Sequence, residues 1–158
     1  MLITLAIATT LAAIWDFKTR EIPDTINFFL IFWGVLYWSY VSYVLKDAVP
    51  FMLSAIGLAV FFTLAFLLTK YDVWGGGDSK LLIGYGACIA PFGFMFSIWF
   101  LFFLFMIGVF SGIIYLQYLI SKGVPYKTAK LKGIPFAHSF LLALILTCLL
   151  PLYKVTLG

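Results

Sequence analysis

The sequence predicts an all-α integral membrane protein of six transmembrane helices with both termini extracytoplasmic. Three observations lead there. The 158 residues are 65% hydrophobic and only 10% charged, against roughly 45–50% apolar and about 25% charged in soluble domains. A chain of this length still leaves about a third of its unfolded-state surface exposed after folding, so its own core cannot absorb that much apolar material and lipid must cover the rest. Charged and turn-forming residues divide the apolar material into six runs, at 1–15, 25–45, 49–69, 79–92, 93–120 and 134–152. The basic residues, finally, favour alternate connections. The first, third and fifth carry Lys18, Arg20, Lys70, Lys80, Lys122, Lys127, Lys130 and Lys132, whereas the opposite side has Lys46 and Lys154. That asymmetry places the odd connections in the cytoplasm, and an even number of helices returns the C-terminus to the side of the N-terminus.

Taken in order, run 1–15 has the apolar body of a signal peptide, but no base precedes it and no small-residue cleavage site follows, so it reads as a retained helix. At 1.5 Å per residue it covers about 22 Å, short of the roughly 30 Å of hydrocarbon that a span must cross. Runs 25–45, 49–69, 93–120 and 134–152 are long enough to span unaided. Run 79–92 is short again, and Pro91 and Gly93 supply the turn that separates it from the fifth. The charged ends of the two short helices therefore belong below the membrane surface. The longest polar segment, 121–133, is basic and short, which leaves one membrane-embedded domain over 1–158. Helix pairs repeat no motif, so an inverted-repeat transporter gains no support. Cys88 and Cys148 lie inside apolar runs with neither a zinc spacing nor a disulfide framework. Ten bases against six acids are too few and too dispersed for a nucleic-acid footprint.

With six acids in all, location alone sorts them. Asp47 is a loop charge on the outer side beside Lys46. Asp16, Glu21, Asp24, Asp72 and Asp78 fall on the cytoplasmic side, where Asp16 ends the first short helix and Asp78 opens the second. Ionisable groups held at membrane depth are functional-site candidates by default. Asp78 follows Gly75-Gly76-Gly77, and three glycines beside a carboxylate admit a close backbone such as an extended substrate strand. The same residues also read as a flexible turn with Asp78 as an N-cap. Asp16 lies in a charged cluster over 15–24, which reads equally as a turn whose charges snorkel to the surface. The dipoles of the two short helices favour ionisation of Asp78, at a helix start, over Asp16, at a helix end.

Two carboxylates brought together can hydrolyse a peptide by sharing one proton, one activating water and the other protonating the carbonyl or the leaving amine. His138 is the sole histidine, and Cys148 lies at a different depth of the same run, so neither a Ser/His nor a Cys/His arrangement is on offer and His138 reads as an interfacial or packing residue. A metal would need three converging ligands. Nothing indicates a cofactor. Two readings from other classes use the same residues: a small proton- or ion-coupled transporter with the carboxylates as a relay, and a non-catalytic subunit of a pilus or secretion machine. The relay lacks a mid-helix or outer charge to complete its path.

Trp15-Asp16-Phe17-Lys18-Thr19-Arg20-Glu21-Ile22-Pro23 resembles the first aspartate motif, and Gly75-Gly76-Gly77-Asp78-Ser79-Lys80-Leu81-Leu82 the G-x-G-D-x-K-L motif, of the type IV prepilin and archaeal preflagellin peptidases. Ile134-Pro135-Phe136 is similar to the I-P-F that opens that family's last helix. Asp24 stands where many members have Asn, and Ser79 where many have Val. The resemblance implies an Asp16/Asp78 aspartyl dyad that removes the short basic leader of a prepilin-like or preflagellin precursor at the cytoplasmic boundary of the cell membrane. It further implies peptidase activity without N-methylation, because the cysteine-bearing segment of bifunctional members is missing between the first helices. Glu21, Asp24 and Asp72 then form an acidic set suited to the leader's bases, or pair internally with Lys18, Arg20 and Lys70. The glycines of 70–77 mark that connection as the moving element.

Overall fold

A computed structural model describes residues 1–19, 22–71, 76–123 and 137–156. Among them the chain forms six α-helices and no strand: α1 (Leu2–Thr19), α2 (Asp24–Leu45), α3 (Val49–Lys70), α4 (Gly76–Ile89), α5 (Phe94–Ser121) and α6 (Ala137–Thr156), with a 3₁₀ turn at Ala90–Phe92 between α4 and α5. Helices α1, α2, α3 and α5 are long and apolar enough to cross a membrane. The middle boundaries follow local chemistry. Lys46 takes a left-handed conformation at φ 54° to end α2, and Asp47 Oδ1 accepts the Val49 N–H at 2.9 Å where α3 begins, so the loop charge acts as a cap. Pro91 lies in the 3₁₀ turn and Gly93, at φ 115°, leads into α5.

The two helices expected to be short differ from expectation in an instructive way. Run 1–15 extends to Thr19, giving 18 residues and about 27 Å, because Asp16 is held inside the bundle and does not break the helix. The fourth helix starts at Gly76 rather than 79 and stops after 14 residues. It is also the most enclosed: Leu81, Leu82, Tyr85, Ala87, Cys88 and Ile89 have no exposed surface, as befits a helix apolar all round.

Helices α2 and α3 flank α4 closely through small residues, the usual means of bringing membrane helices together. A Cβ on Gly57 would fall 2.2 Å from Ala90 Cβ, and one on Gly86 would fall 2.5 Å from Phe61 Cβ and 2.6 Å from the Gly57 carbonyl. The last turn of a helix leaves carbonyls without intrahelical donors, a heavy penalty away from water. Here Trp38 Nε1 donates to the Cys88 carbonyl at 3.0 Å and Ser54 Oγ to the Ala87 carbonyl at 2.8 Å. That is how so short a helix can end within the bundle.

On the far side of α4, helix α6 packs between α1 and α5. Tyr85 reaches across to all three: its ring stacks on Phe100 of α5 at 4.7 Å and meets Phe140 of α6 at 5.2 Å, and its hydroxyl lies 2.6 Å from Thr9 Oγ1 of α1. Thr9 donates its one hydroxyl hydrogen to the Leu5 carbonyl, so Tyr85 is the donor to Thr9.

Gly86→Ala should lower the thermal midpoint in detergent by the equivalent of about 1–3 kcal/mol, the usual penalty of overpacking. Gly77→Ala should leave it level or slightly raised, since a Cβ there meets Ile22 only at 3.4 Å and alanine is the better helix former.

Candidate active site

The contacts between helices bring the charged ends together. Ile22 lies against Gly77, Asp24 Oδ1 pairs with Lys80 Nζ at 2.6 Å, and the hydroxyls of Thr69 and Ser79 share a hydrogen bond at 2.6 Å. The last anchors the entry of α4 to the end of α3, a use for Ser79 that its sequence position did not disclose. At this end lie Asp16, in the last turn of α1, and Asp78, in the first turn of α4.

Their convergence follows from the Thr9–Tyr85 hydrogen bond. The two helices run in opposite directions, and seven residues separate Thr9 from Asp16 and Tyr85 from Asp78, two turns or about 10.5 Å on each. Asp16 therefore comes level with Asp78. Among the described residues no hydrogen bond joins the two carboxyls, so each is defined by its own surroundings.

Asp16 is 7% exposed. Its Oδ2 accepts the backbone N–H of Ala137, the first residue of α6, at 3.2 Å, an arrangement that helix N-termini offer to anions. Asp78 stands outside the four helices that, among the described residues, are long and apolar enough to cross a membrane, and its Oδ1 is buried without a hydrogen-bond partner among the described residues. Burial pushes its carboxyl from the usual 3.8 up to about 7, and the nearby charge of Asp16 adds to the rise. Burial thus acts on Asp78 against the helix dipole, which by itself favours its ionisation. Each pKa unit corresponds to about 1.4 kcal/mol, so burial outweighs the 0.3–2 kcal/mol or so that a helix terminus supplies.

The other predicted site residues fare differently. Asp24 is exposed and paired with Lys80 rather than with the bases expected for it, a surface pair worth up to about 1 kcal/mol. Gly76 and Gly77 lie in the first turn of α4, and the backbone that approaches Gly77 is the chain's own Ile22. Glu21, Asp72 and Gly75 lie outside the described residues, as do residues 72–75 of the connection 70–77 expected to move. His138, read as a packing residue, also makes a polar contact: its Nε2 is 3.0 Å from Ser111 Oγ of α5.

Residues 3–152 match the model of the type IV leader peptidase family. Among similar proteins, the preflagellin peptidase of Methanocaldococcus jannaschii is 37% identical over 87 residues and that of Methanococcus maripaludis 38% identical over 87, in each case covering 55% of this chain and 37% of the relative. That of Methanococcus voltae is 32% identical over 84 residues, 53% of this chain and 36% of the relative. The matched stretch thus spans little more than a third of the length of these relatives. No solved structure matches.

The raised Asp78 carboxyl makes stability depend on pH with a definite sign. In the fold it stays neutral below about pH 7, whereas once unfolded it ionises above about 3.8. The penalty of burying it therefore grows from about pH 4 to pH 7 and is complete above. Asp78→Asn should raise the melting temperature in detergent most at pH 8, less at pH 5 and scarcely at pH 3.5. A gain independent of pH would show that burial does not govern this carboxyl.

Proposed function

The chain belongs to the type IV leader peptidase family, and we propose that it is a membrane aspartyl endopeptidase that removes the short basic leader of a preflagellin or prepilin-like precursor. The observation that carries this reading is the meeting, at one end of an apolar bundle, of two enclosed carboxyls from separate helices. Asp16 and Asp78 form the dyad, in a single membrane-embedded domain over 1–158. All six helices lie in the cell membrane with both termini outside, and the dyad faces the cytoplasm, as the distribution of bases favours.

The unequal surroundings of the two acids support a division of labour. Asp16, facing a backbone donor, serves as the base: it takes a proton from a water that attacks the scissile carbonyl carbon. Asp78 holds a proton near neutrality and gives it to the carbonyl oxygen as the tetrahedral adduct forms. Collapse of the adduct breaks the C–N bond, the proton gained by Asp16 goes to the leaving amine, and one hydroxyl of the adduct returns its proton to Asp78 as the carbonyl re-forms. Glu21, Asp24 and Asp72 receive the bases of the leader, Asp24 by exchanging Lys80 for the substrate. Gly75, Gly76 and Gly77 flank the segment about to be cut. Cleavage proceeds without N-methylation of the new terminus.

Purified protein and a preflagellin-type precursor in detergent supply the test. Asp16→Asn and Asp78→Asn should each reduce cleavage at least about a hundredfold, the scale of a lost general acid or base, with the fold retained. Cleavage that survives both substitutions overturns the reading. In the wild type the rate should fall as pH rises through about 7, where Asp78 loses its proton.

A further inference from the structure

We propose that His138, through Ser111, is a positioning residue for Asp16. The inference rests on the peptidase reading for its catalytic meaning but on separate contacts for its geometry. The donor to Asp16 is the amide of Ala137, and the first amides of a helix have no intrahelical acceptor. The direction of that N–H therefore depends on what holds the entry of α6.

The next residue, His138, holds it from two sides. Its Nε2 and Ser111 Oγ on α5 share a hydrogen bond at 3.0 Å. Its ring lies 5.9 Å, centroid to centroid, from that of Phe17, the neighbour of Asp16 on α1. Ala137 itself is wholly buried. A chain of contacts thus runs from α5 through Ser111 and His138 to the Ala137 amide and on to the Asp16 carboxyl. Ser111 and His138 are both part-buried, where a hydroxyl and an imidazole gain from a polar partner. Neither belongs to the two aspartate motifs.

Loss of the His138–Ser111 bond frees the first turn of α6 to rotate or shift, and the Ala137 amide swings off Oδ2. A misplacement of about 1 Å at a reacting group can reduce a rate by up to about a hundredfold, and the loss of one orienting donor belongs at the lower end of that scale. The residues to which precursor binding is assigned are others, so the effect belongs in kcat.

The test uses the full chain in detergent, with the precursor cleaved by the wild type. His138→Leu and Ser111→Ala should each lower kcat about tenfold with KM unchanged, and the double variant should be no slower than either single one. His138→Gln, which can still reach Ser111, should stay within about twofold of the wild type. Hydrogen exchange at the Ala137 amide reads the geometry without reference to activity, and Ser111→Ala, which removes a single oxygen, should speed it about tenfold. If Asp16→Asn leaves cleavage intact while exchange at Ala137 responds, the positioning contact stands and the catalytic reading falls. Unchanged exchange in Ser111→Ala, or a loss of stability with kcat per folded molecule unaltered, overturns the proposal.

Discussion

The hydrogen bond from Tyr85 to Thr9 is the contact on which the arrangement of the acids depends. It joins α1, which packs on α6, to α4, which lies between α2 and α3, and it does so where both partners are fully buried. A tyrosine hydroxyl in an apolar interior is costly without an acceptor, and Thr9 Oγ1 satisfies it. The pairing fixes the relative height of two helices that otherwise meet mainly through side chains. Once that height is set, two turns of helix on each side carry Asp16 and Asp78 to the same level. The stacked rings of Phe100 and Tyr85 and the nearby Phe140 hold the tyrosine in place.

Helix α4 shows how a bundle accommodates a segment too short to cross it. Its far end is closed by Trp38 and Ser54, which donate to its last-turn carbonyls, and its near end is tied to α3 by the Thr69–Ser79 bond. The glycines at 57 and 86 leave no room for a methyl group, so α4 cannot slide along its neighbours without a clash. Asp78 is thereby held at a fixed depth where water has limited access, and the rise in its carboxyl pKa is a direct consequence.

Much of this was legible in the sequence, for physical reasons that can be named. Hydropathy and the scarcity of charge located α2, α3 and α5 to within a residue, because a run of apolar side chains bounded by charges has few alternatives to a spanning helix. The same scarcity nominated Asp16 and Asp78, the two acids at the ends of short runs. The extension of α1 to Thr19 was hidden. A carboxylate normally marks a helix end at a membrane, and only an amide 121 positions away keeps Asp16 inside. Hidden for the same reason was the pairing of Asp24 with Lys80, since long-range partners leave no periodic trace. Ser79 and Ser111 look like ordinary small residues until Thr69 and His138 are placed beside them.

The environments of the two acids run against what packing alone would select. A bundle that needed only to be stable would gain by replacing an enclosed carboxyl with an apolar side chain of similar volume, because at neutral pH the group must either ionise at a desolvation penalty or hold a proton it readily loses elsewhere. Asp78 bears that penalty with no protein donor on its Oδ1 among the described residues. Asp16, close enough to raise its neighbour further, instead meets the open N-terminus of α6. Asp78 thereby holds its proton at a pH where a solvated carboxyl has lost it. Two equivalent carboxyls in water would gain or lose their protons nearly together. The inequality is built from backbone features, a buried helix start and a helix amide without an intrahelical acceptor, rather than from further charged side chains, which suits a chain that carries only six acids.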